Sequence, residues 1–248
     1  MDFGPTITAG FTMRSGGVSD APWDSLNLGF NVTDNPVNVA SNRQRVSAQW
    51  GAPIAFSTQV HGNTVMTLGR QDRDTWAGTP TPESAGSADG LVSEVPGLGV
   101  AVLVADCVPI VLADPVTGVV ATAHAGRQGV LLGVIARTVE AMKDAGARLS
   151  GMSAAVGPAI CGSCYEVPQE MQDSAAEAHP EAITTTQWGT PGLDLPAAAV
   201  HQLHSLGITD VQHVNVCTRE DTRFYSHRRA TAHGETTGRQ AGVIAITR

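Results

Sequence analysis

The stretch ADCVPIVLADPVTGVVATAHAG, residues 105–126, is apolar apart from a thiol near one end, an imidazole near the other and two aspartates. The pair Cys107 and His124 admits three chemistries. A buried cysteine beside a hydrogen-bonded histidine is an ordinary core feature. A thiol beside an imidazole can equally be a nucleophile and its base, because the thiolate is the reactive form. With one more ligand the two would hold a metal and leave a position open for chemistry. His61, in STQVHGNTV, is the candidate for that ligand, and Gly62 after it permits a tight bend or a close approach. Two imidazoles and one thiolate suit zinc or copper.

Cys107 and His124 meet only if the chain folds back between them. DPVTG, residues 114–118, supplies the turn formers for a hairpin. Centring the turn on Val116 makes paired residue numbers sum to about 232, which sets Cys107 opposite Ala125 with His124 one step away. Pro109 cannot donate to a central ladder, so an irregularity is expected at Asp106–Pro109. Other elements follow from caps and periodicity. Asn35-Pro36 opens a helix over VNVASNRQRVSAQWG, with Val39, Val46 and Trp50 on one face. Asn42 and Arg43 fall on nearly that same face; Arg43 there is either an anion contact or a snorkelling arginine. A second helix is expected from Gln128 to Asp144, a third opening at Pro196 and closed by Gly207, and a fourth from Pro168 to Glu177. Strand-like runs lie near residues 5–13, 56–67, 98–113, 118–124, 152–156, 211–217 and 241–246. Residues 78–90, GTPTPESAGSADG, read as a long loop. Strands and helices mix without strict alternation, which predicts an α+β (mixed α/β) fold of packed sheets rather than a doubly wound parallel sheet.

Composition narrows the function. The 248 residues are 42% hydrophobic and 15% charged, an ordinary globular balance. A net charge of −8, with 15 Lys+Arg of which only Lys143 is lysine, argues against a nucleic-acid partner. A few arginines could still hold a small anion. The N-terminus lacks the pattern of a secretory signal, and the apolar run Leu98–Ala113 is too short and too interrupted to span a bilayer. Four cysteines do not make a disulfide scaffold. The expectation is a soluble, cytoplasmic protein with reduced thiols and no membrane partner. Cys161-x-x-Cys164 lacks the second pair that a zinc knuckle wants, with only Cys217 left far along the chain, so it reads as structural or oxidation-prone. His201 and His204 read as surface residues, and no G-x-S-x-G, P-loop or G-x-G-x-x-G pattern is present.

The pieces TMRSGGVSD (12–20), LNLG (26–29), SNR (41–43), QVHG (59–62), SADGLV (87–92), VADCVPIVLAD (104–114), AHAG (123–126), VGPAICGSCYEV (156–167), LDL (193–195), CT (217–218), FYSHRR (224–229) and TGRQ (237–240) run along the whole chain. In their order and spread the sequence resembles the polyphenol oxidase (laccase-domain) family, also called peptidoglycan editing factors, whose members have been reassigned as purine nucleoside phosphorylases. The resemblance implies a single domain over residues 1–248, with mixed sheets flanked by helices. It also implies that His61, Cys107 and His124 are both the catalytic residues and the ligands of zinc or copper. The implied reaction is phosphorolysis of adenosine, inosine or S-methyl-5'-thioadenosine, with a linked adenosine deaminase activity, so that purine nucleosides and phosphate are the partners. Asn42, Arg43, Arg127, His227 and Arg228 are the substrate-binding candidates. Arg229 and Arg239 lie in the same C-terminal motifs. One departure stands out: the family continues AHAG with Trp-Arg-Gly, whereas this chain has Arg127-Gln128-Gly129. Arg127 still opens a helix, where an anion is favoured. The alternatives are a Cys107–His124 amidohydrolase acting on cell-wall precursors and a copper phenol oxidase. The second is disfavoured, because the chain has 8 histidines and no His-x-His pair.

Overall fold

The structure, a computed structural model, describes residues 2–78 and 83–247, so residues 79–82 of the expected long loop lie outside the described residues. In chain order the strands are β1 (Ile7–Phe11), β2 (Ile54–Phe56), β3 (Val65–Leu68), β4 (Gly90–Ser93), β5 (Gly99–Val104), β6 (Val108–Asp114), β7 (Val119–Ala125), β8 (Ser153–Val156), β9 (Ile183–Thr185), β10 (Pro191–Leu193), β11 (Asp210–His213) and β12 (Gln240–Ile246). The helices are α1 (Pro36–Trp50), α2 (Arg70–Ala77), α3 (Arg127–Leu131), α4 (Val134–Asp144), α5 (Gln169–Ala176), α6 (Leu195–Ser205) and α7 (His227–Ala232). They form a four-stranded sheet in the order β1-β12-β5-β2, a six-stranded sheet in the order β11-β8-β6-β7-β4-β3, and a small β10-β9 ladder. Both larger sheets mix parallel and antiparallel pairs, as in a mixed α/β fold.

Alternation along β6 shows how the layers stack. Val111 and Ala113 join a core shared with Val100, Val243 and Ile244 of the four-stranded sheet and with Val46 and Trp50 of α1. Val108, Ile110 and Leu112 face the other way, into a second core with Val134, Ile135 and Met142 of α4 and Ala198, Ala199 and Leu203 of α6. A strand covered on both faces needs apolar residues at every position, which is why β6 and β7 read as continuous apolar runs.

The helix expected after Asn35 is α1: the Asn35 side chain accepts from Val37 N–H, and Val39, Asn42, Arg43, Val46 and Trp50 are its buried positions. Four expectations need correction. The run 98–113 is not one strand but β5 and β6, in different sheets, with the break at Ala105–Cys107. The run 56–67 is likewise split between β2 and β3, leaving His61 on a loop. The helix expected over 128–144 is two, α3 and α4, because Gly133 takes φ +78° between them. The helix expected to open at Pro196 begins one residue earlier, where the Asp194 carboxylate caps Ala197 N–H at 2.9 Å.

Candidate active site

The β6–β7 hairpin closes through Gly118, whose N–H donates to Asp114 carbonyl oxygen at 2.9 Å with φ +72°. This pairs Val108 with Ala125 and Pro109 with His124, one residue off the expected register. Cys107 therefore lies just past the ladder, beside Gly126. His124 still points to it, and the loop between β2 and β3 brings in His61. One nitrogen of each imidazole and the Cys107 Sγ all lie within 4.8 Å of one another. Cys107 Sγ stands 3.9 Å from His61 Nε2, and the two imidazoles meet edge to face with centroids 4.7 Å apart.

Asp89, fully buried just before β4, organises this cluster. It accepts the His124 Nδ1 hydrogen at 2.8 Å, together with the N–H groups of His61 at 2.9 Å and Gly62 at 2.8 Å. The backbone hydrogen bonds hold His61 at φ +61°, a conformation that costs a non-glycine residue about 1–3 kcal/mol. The Nδ1 bond fixes the His124 tautomer and turns Nε2 toward the cluster, as carboxylates do behind metal-binding histidines. Burial alone would raise the Asp89 carboxyl, but the His124 hydrogen bond and the Gly62 and Val60 N–H groups hold it below the usual range.

Cys107 and His124 titrate as a pair. Burial opposes charge on both, yet the imidazolium pulls the Cys107 thiol down to about 6, while the thiolate and Asp89 push His124 up to about 9. The thiolate that a metal or an electrophile needs is thus present at neutral pH. Gly126 supplies the room. A Cβ there would lie 3.0 Å from His61 Cδ2, 3.1 Å from Cys107 Sγ and 3.6 Å from His124 Cε1. Three soft or borderline donors around a glycine cradle fit a zinc or copper ion with a fourth position facing outward.

That outward side is the meeting point of two cavities, of about 380 and 330 Å³. His61, Cys107 and His227 line both. The larger is walled by Phe30, Leu103 and Val104 and floored by Ser57, whose buried Oγ has no hydrogen-bond partner. The smaller is lined by Arg127, Gln128, Tyr165 and Arg228, so both residues at the departure from Trp-Arg face it. Arg228 stacks over Tyr165 at 5.2 Å and spends two of its donors on Glu166 carbonyl oxygen, both at 3.1 Å.

The structure thus gathers His61, Cys107, His124, Arg127, His227 and Arg228 in one place. Arg43 reaches the wall of the larger cavity, but its donors go to the Leu28 and Glu83 carbonyls at 2.9 and 2.7 Å, and its plane is sandwiched by Phe30 and Phe56. Burial draws the guanidinium down to about 9 against the pull of Glu83. Asn42 is not brought to the cluster. It is fully buried, accepts from Val18 N–H, and donates to Ser19, Ser25 and Asn27, so it fastens the N-terminal loop to α1. Asp89 and Ser57 carry no assigned role in the sequence reading. The only signal for Asp89 was an acid set between Ala88 and Gly90 ahead of an apolar strand.

Comparison with known proteins places the chain in a family and matches its fold. Residues 8–247 match the family model described as multi-copper polyphenol oxidoreductase laccase. A purine nucleoside phosphorylase of Streptomyces coelicolor is 44% identical over 238 residues, covering 95% of this chain and 93% of that protein. Among solved structures, YlmD of Geobacillus stearothermophilus superposes with a TM-score of 0.86 at 32% identity, over 98% of this chain and 93% of its own. A Neisseria meningitidis protein superposes with a TM-score of 0.85 at 34% identity, over 100% and 98% of the two chains.

Proposed function

The chain belongs to the multi-copper polyphenol oxidoreductase laccase family, and from that premise we propose that it is a purine nucleoside phosphorylase. The observation that carries the reading is the His–Cys–His cluster at the junction of two adjoining cavities, one bordered by Arg43 and Arg239 and the other by Arg127 and Arg228. Phosphorolysis needs two adjoining compartments: phosphate must be held against the anomeric carbon while the base sits where its leaving is stabilised. The substrates are adenosine, inosine and S-methyl-5'-thioadenosine, and water replacing the adenosine amino group at C6 accounts for a linked deaminase activity.

In this reading the larger cavity takes the nucleoside, with Phe30 against a flat face and Ser57 Oγ free to bond a polar edge. Arg127 and Arg228 take the phosphate, as arginine forks suit a tetrahedral oxyanion. A phosphate oxygen attacks C1' of the ribose, and the C1'–N9 bond breaks with its electron pair passing to the purine, which gains a proton. His227 lines both cavities and is the proton donor in this scheme. His61, Cys107 and His124 would hold the metal, zinc or alternatively copper, which would supply Lewis-acid chemistry at the cluster. Asp89 keeps His124 oriented throughout. Hypoxanthine release from inosine, dependent on added phosphate, is the test. Wild-type turnover with loss in Cys107→Ala supports the reading, and equal release by both refutes it.

One observation favours a second reading. Asp89, His124 and Cys107 stand in the order of a thiol hydrolase, acid to imidazole to thiolate, which would suit amide cleavage in a cell-wall precursor. Amidase activity that survives metal removal and is abolished by thiol alkylation would select it. The copper phenol oxidase reading draws on the same three ligands. Among the described residues just one other group of three or more potential ligands exists.

A further inference from the structure

That other group lies apart from both cavities. Cys161 and Cys164 belong to the turn after β8, and Cys217 and Glu220 to the turn after β11. In sequence the first pair is missing its partner, because Glu220 does not read as half of a knuckle. In space the two segments run side by side: Ala159 pairs with Cys217 in a parallel bridge, and Thr218 N–H donates to Ala159 carbonyl oxygen at 2.9 Å. Each segment then offers a donor at its first and fourth position, Cys161-Gly-Ser-Cys164 and Cys217-Thr-Arg-Glu220. The three sulfurs and one carboxylate oxygen all lie within 4.8 Å of one another.

We propose that Cys161, Cys164, Cys217 and Glu220 form a second metal site, which takes a zinc-class divalent cation and is structural rather than catalytic. Bonds of about 2.0–2.3 Å around a tetrahedral zinc set donor–donor edges of about 3.3–3.8 Å, close to the spacing present. Cys164 Sγ and Glu220 Oε1 already stand 3.5 Å apart. The surroundings match a bound thiolate set. Cys161 N–H points at Cys217 Sγ at 3.5 Å and the Gln187 amide at Cys164 Sγ at 3.4 Å, the hydrogen bonds that steady coordinating sulfurs. Gly162 is needed at the tip, since a Cβ there would stand 2.8 Å from Asp194 Cβ and 2.9 Å from a Thr184 methyl. All four cysteines are free, and three thiols in one cluster leave one unpaired by any disulfide. Four ligands fill a tetrahedron, which leaves no open position for substrate.

The site would fasten the two turns that hold the catalytic loop. Ile160 N–H donates to Asp106 carbonyl oxygen at 3.0 Å, Thr218 Oγ1 to Asp106 Oδ1 at 2.6 Å, and Asp106 Oδ2 accepts Arg228 N–H at 2.6 Å. Asp106 stands at φ +88° directly before Cys107, so its position is set by residues adjoining the second cluster.

The experiment titrates zinc alone into reduced protein whose first site is removed by His61→Ala and Cys107→Ser. The expected result is one equivalent bound per chain, lost when Cys161→Ser and Cys217→Ser are added and weakened by the exposed Glu220→Ala. A folded double variant that binds no zinc overturns the proposal, as does uptake that persists without Cys161 and Cys217. If the double variant does not fold, cobalt added to wild type decides. Two equivalents are expected, one with the thiolate-to-cobalt absorption of three sulfurs and one with that of a single sulfur. One equivalent with a single thiolate bond overturns it. Neither arm uses nucleoside turnover, so the result stands apart from the phosphorylase reading.

Discussion

Replacing Asp89 by Asn exchanges one oxygen for an NH2 group and changes almost no volume. Asp89 Oδ1 accepts from His61 N–H and His124 Nδ1, and Oδ2 accepts from Gly62 and Val60 N–H. An amide has one acceptor oxygen and must turn its NH2 toward one of those donor pairs. With the oxygen left facing His61 and His124, the part-buried Gly62 and Val60 N–H groups lose their partner and turn to water, at about 0.5–1.5 kcal/mol for each hydrogen bond. With the NH2 facing His124, Nδ1 must accept, the proton moves to Nε2, and the nitrogen that points at the cluster can no longer bind a metal. Either way the negative charge opposite the imidazole is gone. The expected loss is roughly 3 kcal/mol of folding stability, which for a chain of this size lowers Tm by about 6–12 °C. Zinc affinity at the His61–Cys107–His124 site falls by about 10–100-fold, the usual consequence of losing a carboxylate behind a ligating histidine. Scanning calorimetry of metal-free protein reads the first number and zinc competition against a chelator the second. An Asp89→Asn protein with unchanged Tm and zinc affinity within a factor of two would refute the role given to this carboxylate.

Three further outcomes follow from the same geometry. Gly126→Ala keeps an ordinary backbone conformation, so its effect is steric: the new methyl group crowds His61 and Cys107, costing about 1–3 kcal/mol and abolishing uptake at the His61–Cys107–His124 site, so that elemental analysis falls by one equivalent per chain. Ser57→Ala removes a buried hydroxyl with no protein partner, so Tm should hold or rise while nucleoside KM increases about 3–10-fold at unchanged kcat; an unchanged KM would remove Ser57 from the substrate contacts. In metal-free protein, alkylation of Cys107 by iodoacetamide should follow thiolate formation, with the rate falling as pH drops through about 6. His124→Ala should move that midpoint upward, since the imidazolium that favours the thiolate is lost. An alkylation midpoint near the ordinary thiol value of about 8.5 in the parent protein would contradict the pairing.

The hairpin and the approach of Cys107 to His124 were legible because turn formers and apolar strands leave a local signature. The register was one residue out because the turn closes through Gly118 in a left-handed conformation, a choice that DPVTG allows but does not dictate. The break between β5 and β6 was hidden for a different reason. Both strands are covered on both faces, so their composition has no period to interrupt, and the one foreign residue, Asp106, is satisfied by Thr218 and Arg228 more than a hundred positions away. Asp89 escaped notice for the same cause: its contact with His124 depends on β4 pairing with β7, which places Gly90 opposite Ala123. Asn42 and Arg43 were correctly read as odd residues on a buried face. Each is satisfied by backbone groups of distant loops, and spacing along one helix cannot reveal that. The Cys161 and Cys217 segments illustrate the limit most plainly, since their adjacency is created by a bridge between chain positions 159 and 217.

The chain crosses from the four-stranded to the six-stranded sheet between β5 and β6 and again between β2 and β3, and these crossings carry Cys107 and His61. His124 rides on the six-stranded sheet alone. His61 and Cys107 thus sit where the chain passes between the two layers, and an ion held by both of them and His124 would pin these crossings to the six-stranded sheet. Such an ion would act as a rivet across the seam, resisting any sliding of one layer over the other. Metal release would then mark the parting of the sheets, ahead of the melting of either.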